Sequence, residues 1–407
     1  MKSFFCHNAL WVTLSVLASI QCYLFASLFI QDNPATGEWD IGPQFSPNDL
    51  IQHYVACQLV LEENMKAPYQ IARLGEKFIF LYPDSEYTEN FKGDHYLYPP
   101  PTLAFHYVLS ILAGHDYTTF ADLWSLFSIL LYISAGGLLL LQVYFKERLK
   151  VLLLLLSFPG FSYTLGIGQN GSISLLVITF SGFLVYKKKF FLAGGCIGLL
   201  AYKPQLILCF LPFLFFLNKR ILLGALSMLL VGGTLSFIIF GLEVHQDWLN
   251  IILNHRSEAF NHFWGCTWLS FVQSFLKIDS PLIGLLLAIL SISLGIGLFF
   301  FIGSKTQAKK WPLHLHFYFA TALAFLFSPY LLFYDLILFI PFVGMILERH
   351  QEKNTLLISV LYALTWGAVF FSILGESVGF SYVAPSLSLI FVAYLLTYLK
   401  ASGSKIR

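Results

Sequence analysis

The sequence predicts an all-α polytopic membrane protein of one domain, residues 1–407, with about twelve transmembrane helices. Three observations predict it. Hydrophobic residues make up 57% of the chain and charged residues 11%, at a mean hydropathy of +0.73, which leaves too little polar surface to cover a soluble globule. The apolar runs have helical length, whereas a membrane barrel would show alternating segments of roughly ten residues. Basic residues gather in the loops on one side. A net charge of +2 offers no field to attract a nucleic acid, so the partner implied is the lipid bilayer.

Taken in order, Lys2 precedes the apolar run 9–30, which lacks a small-residue cleavage site and reads as an uncleaved signal anchor. The later runs are 119–145, 150–165, 171–186, 190–203, 204–217, 221–242, 281–303, 313–328, 331–347, 355–373 and 383–399. Lys2, Lys146–Lys150, Lys187–Lys189, Lys219 with Arg220, Lys305–Lys310, Arg349 with Lys353 and the tail from Lys400 to Arg407 fall on one side of these spans. That side holds 17 of the 24 lysines and arginines, and the excess marks it as cytoplasmic. Both termini then lie inside, in a multi-pass protein of the cytoplasmic membrane, and the acidic residues collect toward the outer, periplasmic or exterior, face.

The same count decides the segment Thr102–Ala113. If it crossed, every later loop would break the positive-inside rule, and at about twelve residues it is too short to span. It reads instead as an interfacial helix entered through Pro99, Pro100 and Pro101, with a second interfacial helix at 47–65. Residues 31–116 form a first outer loop and residues 243–280 a second.

Candidate chemistry lies on that outer face. Ser46, Pro47 and Asn48 resemble a helix start, which puts Asp49 in the first turn. There it either complements the positive helix end or serves as a general base toward an acceptor hydroxyl. Gly166–Gly171 joins two short spans, so Gln169 and Asn170 belong either to a plain tight turn or to a turn sunk below the surface beside a ligand. Lys203 sits between helices of about 14 residues that cover only about 21 Å of a core some 30 Å thick. It either snorkels or binds an anion such as a lipid phosphate. Tyr334 and Asp335 lie about one turn into a span, and His255 and Arg256 lie in the second outer loop without metal-ligand spacing. No metal or cofactor is called for. Cys57 and Cys266 share the outer side, where a disulfide could form.

The ordered segments Asn48–Val60, Ala67–Gln70, Tyr98–Pro101 (YPPP), Gly168–Gly171 (GQNG), Tyr202–Leu206 (YKPQL) and Ser328–Leu336 resemble glycosyltransferase family 87, a polytopic group of the GT-C class. The resemblance implies an inverting hexosyltransferase or pentosyltransferase that is mannosyltransferase-like. It would move a sugar from a polyprenyl-phosphate donor to a glycolipid or glycan acceptor at the outer face. It also implies that Asp49 is the catalytic acid of the first outer loop, with Asp40, Glu62 and Glu63 as local competitors. Lys203 and Gln169 would hold the donor phosphate, and His53, Tyr54, Tyr98, Asn170, His255, Arg256, Tyr334 and Asp335 are candidates for the substrate cavity. The interval Ile71–Asp94 is longer than the family's usual link. A transporter or flippase of isoprenoid-linked saccharides is the rival reading. It would need internal repeats or paired ionisable residues near the bilayer midplane.

Overall fold

In the computed structural model the described residues are 2–32, 39–41, 49–70, 73–82, 96–158, 160–254, 267–269, 272, 281–304, 311–328, 333–348, 359–360, 362–363 and 366. They are helical except for turns and one antiparallel ribbon. Helix α1 (Lys2–Phe29) runs into strand β1 (Ile30–Asp32), which pairs with β2 (Trp39–Ile41) so that Gln31 faces Asp40.

The rest forms two layers. A cap layer holds α2 (Asp49–Glu62), a 3-10 turn at Ala67–Tyr69, α3 (Arg73–Leu81) and α4 (Pro100–Leu112). A bundle follows, with α5 (Tyr117–Leu140), α6 (Arg148–Ser157), α7 (Gly160–Gly166), α8 (Gly171–Tyr186), α9 (Phe190–Gly198), α10 (Pro204–Leu217) and α11 (Lys219–Asn254). It continues with α12 (Pro281–Gly303), α13 (Leu313–Leu326), a 3-10 helix at Phe333–Phe339 and α14 (Ile340–Glu348). Helices thus lie on every expected run up to residue 347. The run 383–399 and most of 355–373 fall outside the described residues.

Length qualifies the expectation of about twelve spans. Among the described residues, three helices are long and apolar enough to cross a membrane: Tyr117–Leu140, Lys219–Ile252 and Ile283–Gly303. The pair Phe145–Ser157 and Gly160–Gly166, bent by 46°, would make a fourth. Others are shorter. Helices α8, α10 and α13 have 16, 14 and 14 residues, or about 21–24 Å at 1.5 Å per residue, less than the roughly 30 Å of a hydrocarbon core.

The outer surface of the bundle is itself greasy. Leu230 and Ile238 on α11 are 72% and 73% exposed, and Leu285, Leu286 and Ile289 on α12 are exposed as well. Water would not tolerate such contiguous apolar faces, but lipid does. Inside, α9 and α11 meet through small residues. A Cβ on Gly194 would lie 1.9 Å from the Ile221 carbonyl oxygen, and one on Gly224 would lie 2.0 Å from that of Phe191. Gly194 and Gly198 form the small-xxx-small spacing that lets membrane helices approach this closely.

The cap layer has its own apolar core, built from Leu50, Val55, Leu74, Phe78, Leu103 and the start of α5 at Phe120 and Trp124. Helix α4 has 13 residues, about 20 Å, and begins with prolines whose missing N–H groups would be unpaired in a first turn anyway. It ends in a turn with Gly114 at φ 62°, and the Asp116 carboxylate then accepts from the Thr119 N–H at 2.7 Å to start α5. Helix α11 reaches the cap by kinking at Gly241 (φ 79°, ψ 161°), the end of the expected run 221–242. Beyond the kink Val244, Trp248 and Ile251 enter the cap core, and the Trp248 indole N–H donates to the Leu97 carbonyl at 3.0 Å. Buried Lys77 pairs with Glu62 at 2.5 Å, Arg73 pairs with Glu63 and Glu76, and Lys66 pairs with Glu243. Cys57 is a buried free thiol, and Cys266 lies outside the described residues.

Candidate active site

The GQNG segment is the pivot. Helix α7 ends in a Schellman turn, in which the Gly168 N–H donates to the Leu165 carbonyl at 3.0 Å and the Gln169 N–H to that of Thr164 at 2.8 Å. Gly168 takes the left-handed position, φ 71°, which a side chain would strain. It also lies against the cap, because a Cβ there would come 2.4 Å from the Leu50 Cβ. The turn therefore abuts the first turn of α2, where Asp49 is the first residue. Gly168→Ala combines left-handed strain with overpacking, and we expect it to destabilise the fold by at least about 2 kcal/mol. A thermal-unfolding midpoint that did not move would contradict that contact.

Around this turn the structure brings several expected residues together. The Tyr98 hydroxyl donates to Gln169 Oε1 at 2.9 Å, and the Tyr98 ring lies 4.6 Å from the ring of His53. Asn170 caps the start of α8, and its carbonyl accepts from the Tyr202 hydroxyl at 3.0 Å. The side chain of Asn170 is 1% exposed, and neither of its polar atoms has a hydrogen-bond partner in the protein. Ser172 Oγ, two residues on, is likewise buried and unpaired. This end of α8 presents the positive pole of a helix dipole.

Lys203 is buried within the protein. Its partner is Asp335, with Nζ donating to Oδ1 at 2.8 Å and side-chain exposures of 3% and 5%. The ammonium also stands 5.0 Å from the centre of the Tyr334 ring. The Tyr334 carbonyl accepts from Thr164 Oγ1 at 2.7 Å, which ties this corner back to α7. Asp335 is thus the counter-ion of Lys203, a role distinct from that of a free cavity acid.

Other expectations part company. Tyr54 follows His53 on α2 but points elsewhere, donating to the His115 carbonyl at 2.6 Å and packing on Tyr117 and Phe120. Glu62 and Glu63 sit at the far end of α2 from Asp49 and are held in ion pairs. His255 and Arg256 lie outside the described residues.

His106 enters the cluster unforeseen. Its ring stacks on that of His53 with centroids 3.7 Å apart and planes within 4°. Nδ1 of His106 donates to the Thr102 carbonyl at 2.8 Å, and Nδ1 of His53 is bonded to the Tyr96 hydroxyl at 2.8 Å. Burial lowers His106 to about 4, and burial, His106 and the Lys203 charge together hold His53 well below its ordinary value. Both rings are neutral near pH 7. The signal was available in the sequence, since Thr102, His106 and Ser110 recur every fourth residue along an otherwise apolar helix.

No curated protein and no solved structure matches the chain. Residues 96–329 match glycosyltransferase family 87. The match starts at Tyr96, beyond α2, and stops short of Tyr334 and Asp335, yet it spans YPPP, GQNG and Lys203. With a match over more than half its length that includes the turn from which the site is built, the chain belongs to glycosyltransferase family 87 and is a glycosyltransferase.

Proposed function

We propose that the chain transfers a hexose, such as mannose, or a pentose from a polyprenyl-phosphate donor to a glycolipid or glycan acceptor. The reaction takes place at the outer face of the cytoplasmic membrane, within a single domain of about twelve spans whose termini are both cytoplasmic. Residues 31–116 and 243–280 are assigned to the outer face in this reading. One observation carries this reading: the start of α2 abuts a buried turn that holds the unpaired Asn170 amide and touches Tyr202 and Tyr334, the chain neighbours of the enclosed Lys203–Asp335 pair. Such a corner suits a phosphodiester facing a carboxylate.

In the proposed step the Asp49 carboxylate takes the proton of an acceptor hydroxyl, and that oxygen bonds to the anomeric carbon. The bond from the anomeric carbon to the phosphate oxygen breaks, and polyprenyl phosphate leaves with the electron pair. Lys203 has three N–H donors; one goes to Asp335, which aims the ammonium and leaves the others for phosphate. Because Asp335 offsets much of the charge, the Asn170 amide and the first turn of α8 carry part of the stabilisation of the leaving group. Gln169, held by Tyr98, lines the same corner.

Purified protein in proteoliposomes, given labelled polyprenyl-phosphate hexose and extracted cell lipids, should yield a labelled glycolipid. Label that crosses the bilayer without transfer would favour the flippase, and transfer from a sugar nucleotide alone would overturn the donor class.

A further inference from the structure

Buried polar atoms that find no partner in the protein are few in any fold, and each calls for an explanation. Here the largest group of them among the described residues lies where α2, α4 and α5 meet. It comprises His53 Nε2, Thr102 Oγ1, His106 Nε2, Ser110 Oγ, Tyr117 Oη and Trp124 Nε1. The rings are neighbours. His106 stacks on His53, and Trp124 lies 4.8 Å from His106 and 6.5 Å from His53. Thr102, His106 and Ser110 recur along one face of α4, which carries the row about 12 Å along the helix at 1.5 Å per residue. One end of the row adjoins YPPP and Tyr98. The other reaches the Gly114–Asp116 turn, where the His115 N–H donates to the Ser110 carbonyl and Asp116 is exposed.

The chemistry of the groups points to small, amphoteric partners. His106 Nε2 can only accept, because Nδ1 donates to the Thr102 carbonyl; Trp124 Nε1 can only donate; the hydroxyls do both. An apolar ligand would leave all of them unpaired. A saccharide is excluded by the tight stacking of the rings, whereas water supplies donors and acceptors at this spacing.

We propose that the interface of α2, α4 and α5 holds a chain of ordered waters from His53 to Tyr117, and that the proton released in glycosyl transfer leaves the site along it. This rests on the reading of Asp49 as the base. Each turnover converts an acceptor O–H into a glycosidic bond, so one proton must leave the carboxylate for bulk water before the next cycle. Asp49 lies one helical turn before His53 on α2, at the mouth of the row. The waters carry that proton, and the uncharged imidazoles and the hydroxyls hold them in line without storing it.

The test labels tryptophan indole nitrogens with 15N and follows N–H exchange in D2O, with Trp124→Phe identifying the Trp124 signal. The Trp124 proton should exchange within minutes in the wild type and about tenfold more slowly in His106→Phe, which keeps an aromatic ring but removes the acceptor. In transfer assays His106→Phe and the milder Ser110→Ala should lower kcat with KM unchanged and raise the solvent deuterium isotope effect. A Trp124 proton protected for days would overturn the water chain. Rapid exchange with unchanged kcat and isotope effect in both variants would overturn the proton route. A wild type without transfer activity would instead remove the reading beneath it, while the exchange result would still decide whether water is present.

Discussion

Asp49→Asn should lower glycosyl transfer by about 10²- to 10⁴-fold, the usual contribution of a general base, in a protein that remains folded. Asparagine has the same shape and is equally acceptable at a helix start. If Asp49 only complemented the helix dipole, its loss would cost about 0.3–1 kcal/mol of stability and leave kcat untouched. The two roles therefore separate cleanly when kcat and the unfolding midpoint are measured on one preparation. Two of the neighbouring acids offer no substitute. Glu62 and Glu63 lie 13 and 14 residues further along, about 20 Å away, and are engaged by Lys77 and Arg73.

The second large effect belongs to the Lys203–Asp335 pair. Asp335→Ala leaves an enclosed ammonium uncompensated, and breaking a buried pair from one side typically costs about 3–5 kcal/mol. A steep fall in the unfolding midpoint or in the yield of folded protein is expected. Removing both charges with apolar residues, Lys203→Met with Asp335→Leu, should restore most of that stability, because the desolvation penalty goes with the charges. Transfer should not return, since the phosphate would have lost its cation. Recovery of both stability and activity in the double variant would show the pair to be structural only.

Much of this was legible in the sequence, and physical reasons separate what was from what was not. Apolar runs mark helices because burying backbone in lipid leaves few other choices, so the runs up to residue 347 coincide with helices. The brevity of its flanking helices singled out Lys203, which the fold buries. Its partner did not follow, because Asp335 is 132 residues away in the chain and only packing brings the two together. The divergence of His53 and Tyr54 was readable in principle. Consecutive residues on a helix of 3.6 residues per turn point about 100° apart, and only one could face the GQNG turn. His106 was readable as well, because with Thr102 and Ser110 it forms a polar row at four-residue spacing along the apolar segment Thr102–Ala113. The enlarged interval from Ile71 contains α3, whose Lys77 and Arg73 clamp the end of α2, so part of that interval fastens the cap.

The stereochemistry of transfer tests the central claim most directly. A retaining reaction by double displacement needs a second carboxylate free to act as nucleophile, and Asp335, the acid that the described residues add to this corner, is committed to Lys203. Asp49 acting alone as base permits a single displacement. The configuration at the anomeric carbon of the product, read by NMR against that of the polyprenyl-phosphate donor, should therefore be inverted; a product that keeps the donor's configuration would contradict the account.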